Sequence, residues 1–311
     1  MTLQPAPTAD GGLKFSEERT ARVGDVELCW QEMGSQGDPP VLMVMGLGAQ
    51  MILWPDELCA LIAAQGFRVI RFDNRDAGRS TWLGGAPTAS ISEALRGSVP
   101  DGAYRLTDMA ADTAALLDAL GISAAHVVGA SLGGMIAQTL AIEHPDRALS
   151  LASIMSTTGD RSVGRPTPTG LEALTSAPPA DRDGYVEALV RARRLVGSPG
   201  FPFDEAFARE IAGRGWDRGY NPKGTVRQTV AIIASGDRTE RLRKLDVPTV
   251  VIHGDSDPLI DISGGRATAA VIPGAELVVI EGMGHDFPAG ARERVADEIV
   301  RNAARASGRI G

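Results

Sequence analysis

Cysteine, lysine and long apolar runs are scarce in this chain of 311 residues. Cys29 and Cys59 are the only two cysteines, so no disulfide framework and no zinc-ligand spacing can be built from them. Each lies in a run typical of a strand or a helix, and we expect both to be small buried apolar residues. No apolar run approaches the ~20 residues needed to span a bilayer. These absences exclude a disulfide scaffold and predict no membrane span.

Basic residues are not in excess either. The formal net charge of −8 argues against a nucleic-acid partner, which would need a basic stripe. Residues 1–12 lack the charged start and apolar core of a secretory signal and resemble a frayed tail. Because 43% of the residues are hydrophobic and 23% charged, the composition is that of a globular protein. We therefore expect a soluble, cytoplasmic protein, and the sequence leaves its oligomeric state open.

Short apolar runs alternate with helical patterns along most of the chain. Runs typical of strands lie at 15–23, 26–33, 41–45, 67–72, 125–128, 148–154, 250–253 and 277–280. Helical patterns lie at 55–65, 107–120, 134–141 and 289–306. This alternation predicts an α/β fold with a mostly parallel, doubly wound eight-stranded sheet.

Residues 157–240 interrupt the alternation. They begin with a segment rich in Ser, Thr, Gly and Pro and continue with three helical stretches, around 185–195, 204–212 and 225–234. We interpret 157–240 as an inserted helical cap and residues 1–156 and 241–311 as the core. Its large apolar side chains are candidates to line an apolar pocket: Leu189, Leu195, Phe201, Phe203, Phe207 and Trp216.

The most informative stretch is Gly129-Ala130-Ser131-Leu132-Gly133. It follows a strand-like run and precedes a helical one, which is the context of a Gly-x-Ser-x-Gly nucleophile elbow. In such an elbow a sharp turn strains the serine backbone and presents its hydroxyl above the sheet. The alternative is an ordinary serine N-cap of a helix. The flanking strand and helix favour Ser131 as a nucleophile.

A serine hydroxyl needs an adjacent base, and the chain offers four histidines. His126 and His144 flank the elbow segment and are expected to point away from the reactive face. His253 lies within an apolar strand, which favours a buried core histidine. His285 follows the last strand in a loop, where open α/β sheets place their ligands. We therefore predict His285 as the base.

The acid that orients the histidine is expected between nucleophile and base in the chain. Asp255 and Asp257 both follow the strand that ends near His253. We favour Asp257 because Pro258 holds it in an extended conformation. Asp255 remains the alternative acid. Its other interpretation is that of a turn residue whose side chain hydrogen-bonds its own backbone.

The reaction also needs N–H donors for the negative charge on the carbonyl oxygen. The amide of Leu132, next to the nucleophile, is one candidate, and the amide of Leu47 is the second. Gly46 and Gly48 would let the backbone approach a substrate closely, and Trp54 beside them is a further candidate for substrate contact. The charged loop at 73–80 is predicted to be a structural network beneath the site.

Together these pieces resemble the α/β-hydrolase superfamily, in the order and rough spacing of the motifs at 129–133, 73–80, 254–258 and 282–285. Within it, the chain looks most like serine esterases of the aclacinomycin methylesterase type. The resemblance rests on Met45-Gly46 in place of the more usual His-Gly, and on the Arg-Asp-x-Gly-Arg-Ser-Thr run at 75–81. It covers nearly the whole chain outside the cap.

The resemblance implies a Ser131–His285–Asp257 triad with Leu47 and Leu132 as oxyanion donors. The expected activity is hydrolysis of a small-molecule, apolar carboxylic ester, with no metal or organic cofactor. Cofactor-free haloperoxidase (perhydrolase) and carbon–carbon bond hydrolase activities on the same triad are alternatives. A ligand-binding receptor on a hydrolase scaffold is an alternative of another class.

Overall fold

One eight-stranded sheet forms the centre of the molecule. The computed structural model describes residues 13–175 and 178–307, so the tail predicted for residues 1–12 lies outside the described residues. In chain order the strands are β1 (Arg19–Val23), β2 (Val26–Met33), β3 (Pro40–Val44), β4 (Arg68–Phe72), β5 (Ala125–Ala130), β6 (Ala148–Ile154), β7 (Thr249–Gly254) and β8 (Glu276–Ile280). Across the sheet their order is β1-β2-β4-β3-β5-β6-β7-β8.

The sheet is parallel except at one edge. β2 pairs antiparallel with β1 and with β4, whereas every neighbouring pair from β4 to β8 is parallel. The central strands β4 and β5 are buried along their whole length, because helices cover both faces of a parallel sheet. The predicted α/β fold and mostly parallel sheet are confirmed.

Helices form a layer on each face of the sheet. Outside the cap they are α1 (Asp56–Ala63), α2 (Ile91–Leu95), α3 (Leu106–Ala119), α4 (Leu132–Glu143), α10 (Ser263–Val271) and α11 (Ala289–Ser307). Helices α3 and α4 supply apolar side chains to one buried layer, and α1 and α11 to the layer on the opposite face. Because parallel strands place their carboxyl ends at one edge, the loops after β3, β5, β7 and β8 meet there.

Five helices and no strand occupy the described residues between β6 and β7: α5 (Pro168–Thr175), α6 (Arg182–Val196), α7 (Glu205–Arg218), α8 (Pro222–Ser235) and α9 (Thr239–Leu242). The side chains of Asp181, Asp204 and Asn221 cap α6, α7 and α8 by accepting a backbone N–H in the first turn. Sequence patterns indicated these three helices. They did not indicate α5, which lies in a Pro- and Thr-rich segment, or α2, α9 and α10.

Candidate active site

The elbow places Ser131 between the end of β5 and the start of α4. Its backbone has φ 56° and ψ −121°, a conformation that few residues other than glycine adopt. A Cβ on Gly129 would lie 2.1 Å from the Gly133 carbonyl oxygen, and one on Gly133 would lie 1.9 Å from the Val44 oxygen. Both positions therefore require glycine, because the neighbouring backbone leaves no room for a Cβ atom. The serine itself is partly exposed at the sheet edge.

His285 and Asp257 meet across the loops that follow β8 and β7. His285 Nδ1 lies 2.7 Å from Asp257 Oδ2, and the two side chains are 9% and 0% exposed. A carboxylate accepts only, so Nδ1 carries the proton in this bond and Nε2 is left with its lone pair. The Asp257 Oδ1 atom accepts the amides of Leu259 (2.8 Å) and Ile260 (2.9 Å), which fixes the carboxylate in the turn.

The electrostatics of this pair favour an ionised acid. Burial by itself would raise the pKa of Asp257, but the charge of His285 and the N–H donors of His253, His285 and Ile260 outweigh it. The result is a pKa well below the ordinary range of an aspartate. Asp257 is therefore ionised near neutral pH, and its charge favours a protonated imidazole.

Asp255, the alternative acid, has a different set of partners. Its side chain is exposed, and its Oδ1 atom accepts the amide of Gly282 at 2.7 Å and the hydroxyl of Ser256 at 2.9 Å. It therefore ties the loop after β7 to the loop after β8 and makes no hydrogen bond with His285. The structure brings Asp257, and not Asp255, onto the imidazole.

The remaining histidines near the sheet are buried. His253 is fully buried in β7 and donates from Nε2 to the Ile260 carbonyl at 2.8 Å, as expected of a core residue. The same nitrogen lies 3.4 Å from Asp257 Oδ2, a contact that the apolar strand pattern did not reveal. His126 lies beside Ser150 within the sheet, and burial lowers its pKa to about 4. The hydrogen bonds of these two histidines are therefore made to residues other than Ser131.

The loop after β3 packs directly against Ser131. A Cβ on Gly46 would lie 3.1 Å from the Ser131 Cβ atom, so a side chain at this position would require Ser131 to shift by a few tenths of an ångström. Next to it, the Leu47 amide donates to no protein acceptor among the described residues. Leu132 is the first residue of α4, and its N–H has no acceptor within the helix. Of the two predicted oxyanion donors, Leu132 follows Ser131 in the chain, and Leu47 follows the glycine that packs against Ser131.

Two further residues of this region, Gly48 and Trp54, have partners within the protein. The Gly48 amide is already engaged, since it donates to Gln228 Oε1 of the cap at 2.8 Å. Trp54 is fully buried and packs on Phe287 with ring centroids 5.0 Å apart. A side chain with no exposed surface cannot contact a ligand, so the prediction of Trp54 as a substrate-binding residue is not retained. It forms part of the core behind the loop.

A cavity of about 130 Å³ lies between this loop and the helices α6 and α7. On the core side it is lined by Leu47, Gly48 and their neighbours, and on the cap side by Tyr185, Leu189, Ile211 and Gly215. An apolar cavity of about 150 Å³ holds one benzene ring. Of the six cap residues proposed from sequence, Leu189 lines this space. Trp216 instead stacks with Tyr220, with ring centroids 5.5 Å apart.

The charged loop after β4 holds the cap onto the core. Asp73 accepts the Met51 and Arg79 amides at 2.7 and 3.0 Å, and it forms a buried ion pair with Arg218 of α7 at 2.7 Å. Asp76 pairs with Arg227 of α8 at 2.6 Å. The network predicted beneath the site is present, and the structure extends it to the cap. The sequence signal for this extension is two arginines on the buried faces of cap helices.

No group of three or more His, Cys, Asp or Glu side chains among residues 13–175 and 178–307 is arranged to hold a metal ion. In the same part of the chain, no helix combines the length and apolarity that crossing a membrane requires. Cys29 and Cys59 are buried free thiols, as predicted.

Comparison with known proteins agrees with this geometry. Residues 39–288 match the family described as alpha/beta hydrolase fold. The chain is 32% identical over 296 residues to the rhodomycin D methylesterase DauP of Streptomyces sp. (strain C5), covering 87% of this chain and 93% of that protein. It is also 32% identical to rhodomycin D methylesterase DnrP of Streptomyces peucetius, with the same coverage.

Among solved structures, the esterase RhEst1 from Rhodococcus sp. ECU1013 superposes with a TM-score of 0.72 over 93% of this chain and 99% of that one. At 21% identity this likeness concerns the fold. The sequence family and the sheet with its serine elbow agree. The chain belongs to the alpha/beta hydrolase family.

Proposed function

We propose that this ester hydrolase cleaves carboxylic esters through a covalent acyl-enzyme on Ser131, with His285 as base and Asp257 as the orienting acid. The observation that carries the proposal is the 2.7 Å bond from His285 Nδ1 to Asp257, which leaves Nε2 unprotonated and able to accept a proton. The strained backbone of Ser131 supports it, because a nucleophile elbow requires such a conformation.

In the first half of the reaction, Ser131 Oγ attacks the ester carbonyl carbon while His285 Nε2 takes the hydroxyl proton. The oxyanion that forms accepts hydrogen bonds from the Leu47 and Leu132 amides. When the tetrahedral intermediate collapses, the C–O bond to the alcohol breaks and His285 returns its proton to the leaving oxygen. Asp257 stays ionised throughout and stabilises the imidazolium.

In the second half, water attacks the acyl carbon and His285 accepts a proton from it. Collapse of this intermediate expels Ser131 Oγ, which recovers the proton from His285, and the free acid leaves. Every proton passes through one nitrogen, and no cofactor is needed. The helices of residues 157–240 act as a cap that covers the substrate.

The rhodomycin D methylesterase relatives point to a methyl or other small alkyl ester of a bulkier, small-molecule acid. The loop after β3, residues 46–49, is called the oxyanion loop below because it carries the Leu47 amide. The cavity of about 130 Å³ beside it, with Leu189 and Ile211 in its wall, is suited to an apolar group of one ring or less. The apolar ester and the cytoplasmic location predicted from the sequence are part of this proposal.

The test is Ser131→Ala, assayed by p-nitrophenol release from p-nitrophenyl acetate. Loss of a triad nucleophile lowers kcat by about 10⁶-fold, so no burst and no turnover above background are expected. Ser150→Ala is the matched control, since its hydroxyl is buried in β6 and bonded to His126, away from the elbow. A folded Ser131→Ala variant that turns over at the wild-type rate would exclude the mechanism.

A further inference from the structure

One buried side chain of the cap is bonded to two loops of the core. Gln228 of α8 is fully buried. Its Oε1 atom accepts the Gly48 amide at 2.8 Å, and its Nε2 atom donates to the Arg75 carbonyl at 2.8 Å. A glutamine buried with both ends satisfied holds its partners in a defined geometry. The oxyanion loop is one of these partners.

The hydrogen bonds fix three consecutive peptide units of that loop. Asn74 Nδ2 donates to the Met45 carbonyl at 2.9 Å, which holds the peptide before Gly46. The Gly46 carbonyl accepts the Ala49 amide at 3.3 Å, and Gln228 holds the Gly48 amide. The peptide that carries the Leu47 N–H lies between two fixed neighbours. In a trans peptide this N–H points opposite to the Gly46 carbonyl, and therefore away from the Ala49 amide.

Packing between α8 and the loop leaves little room for adjustment. Gly48 has φ +62°, and a Cβ at this position would lie 2.6 Å from Thr225 Oγ1 of α8. One residue before Gln228, Arg227 forms its buried ion pair with Asp76. The helix is thus anchored on the core where its glutamine reaches the loop. Movement of α8 would be transmitted to the Gly48 amide.

We propose that Gln228 is a positioning residue that sets the direction of the Leu47 N–H, and so couples the seating of α8 to stabilisation of the oxyanion. This inference rests on the proposed function. Gln228 reaches the loop through the Gly48 amide, and its effect on the reaction passes through the Leu47 donor. An oxyanion donor must lie 2.7–3.1 Å from the oxygen of the tetrahedral intermediate, not of the ground-state carbonyl. Loosening the loop is therefore expected to lower kcat and leave KM little changed.

The experiment compares Gln228→Met with Gln138→Met. Gln138 is also fully buried and bonded at both ends, to Ser153 at 3.1 Å and Arg238 at 3.2 Å, but it makes no contact with the oxyanion loop. Each variant is assayed for kcat and KM on p-nitrophenyl acetate and for inhibition by an alkyl boronic acid, which forms a tetrahedral adduct with a nucleophilic serine. Urea unfolding records the loss of stability in both.

Removal of a whole oxyanion donor costs about 10²–10³-fold in kcat, and a misdirected donor should cost less. We expect Gln228→Met to lower kcat about 10–100-fold and to weaken boronic acid inhibition by a similar factor, with KM within about threefold. Gln138→Met should keep kcat within about twofold at a comparable loss of stability. Gln228→Glu should recover most of the activity, because burial keeps its carboxyl protonated and able both to accept and to donate.

The proposal is overturned if Gln228→Met is folded and retains wild-type kcat and boronic acid affinity. It is also overturned if both methionine variants lose kcat equally, since the effect would then be a general consequence of a weakened core. Failure of the proposed function itself has a separate signature, which is wild-type turnover by Ser131→Ala.

Discussion

The exchange Asp257→Asn tests the assignment of the acid, and the structure predicts how the new amide must lie. The Leu259 and Ile260 amides both point at Oδ1 of residue 257, from 2.8 and 2.9 Å. The amide oxygen of an asparagine is therefore forced into this position, and its NH₂ group takes the place of Oδ2 against His285. A donor facing Nδ1 favours the tautomer with the proton on Nε2, the nitrogen that must accept the proton of Ser131.

The expected loss is large because the base is held in the wrong tautomer. In a Ser-His-Asp enzyme the equivalent exchange lowers kcat about 10⁴-fold, or about 5.5 kcal/mol of transition-state stabilisation. The control is Asp255→Asn, two residues away. The side chain of Asp255 is exposed, and an asparagine oxygen can still accept the Gly282 amide, so kcat should change by about twofold or less.

Steady-state p-nitrophenyl ester hydrolysis, with urea unfolding to confirm that each variant is folded, distinguishes the two carboxylates. The assignment of Asp257 as the acid is refuted if Asp257→Asn keeps more than about a tenth of wild-type kcat, because the wrong tautomer should lower kcat ~10⁴-fold. It is refuted equally if Asp255→Asn shows the larger loss.

The exchange Asp257→Asn should also change how the free energy of unfolding depends on pH. The pKa of Asp257 is lower in the folded protein than the ~3.9 of an unfolded aspartate, so the unfolded chain binds more protons as the pH falls. The ionised Asp257 therefore makes its full contribution to the free energy of unfolding above about pH 4. This contribution decreases as the pH falls from there towards the pKa of Asp257 in the folded protein. The stability difference between wild type and Asp257→Asn should accordingly shrink as the pH is taken from 5 towards 2.

Two further predictions concern the core and the seating of the cap. Arg227→Met leaves the fully buried Asp76 carboxylate without its cation and should cost about 3–5 kcal/mol in urea unfolding; a loss below about 1 kcal/mol would show that the pair contributes little to holding α8. Burial lowers the pKa of His126 to about 4, below the ~6.5 of an unfolded histidine. Between these two pH values the unfolded chain binds a proton that the folded protein does not bind, so the free energy of unfolding decreases as the pH is lowered. From pH 7.5 to 5 the wild type should therefore lose about 2 kcal/mol more than His126→Gln, and an equal pH dependence in urea unfolding would contradict this.

Local sequence patterns were sufficient to predict most of the strands and helices and the serine elbow. The eight strands and the helices α1, α3, α4 and α11 follow from apolar periodicity with stop signals such as Gly66 and Gly121, which both have positive φ. The elbow was recognisable because its constraints lie within five residues, apart from the contact of Gly133 with Val44. The helix α5 was missed because its turn- and loop-rich composition resembles that of a linker.

Other features depend on residues that are distant in the chain. Whether Asp255 or Asp257 meets His285 depends on how the loops after β7 and β8 lie together, since both residues follow the same strand. Trp54 is adjacent to the oxyanion loop in sequence, yet its side chain turns into the core against Phe287. Gln228 has the pattern of any polar residue on an amphipathic helix, and only the fold reveals its buried contacts.

The sequence by itself therefore determined the class of fold and indicated the serine elbow and the order of the candidate reacting groups, because short-range sterics and hydrophobic periodicity encode them. The tertiary structure alone decided which carboxylate contacts the imidazole of His285 and which residues hold the loop after β3. The latter includes a hydrogen bond between residues 180 positions apart, from Gly48 to Gln228. Such contacts arise from the docking of separate elements, and no local pattern records them.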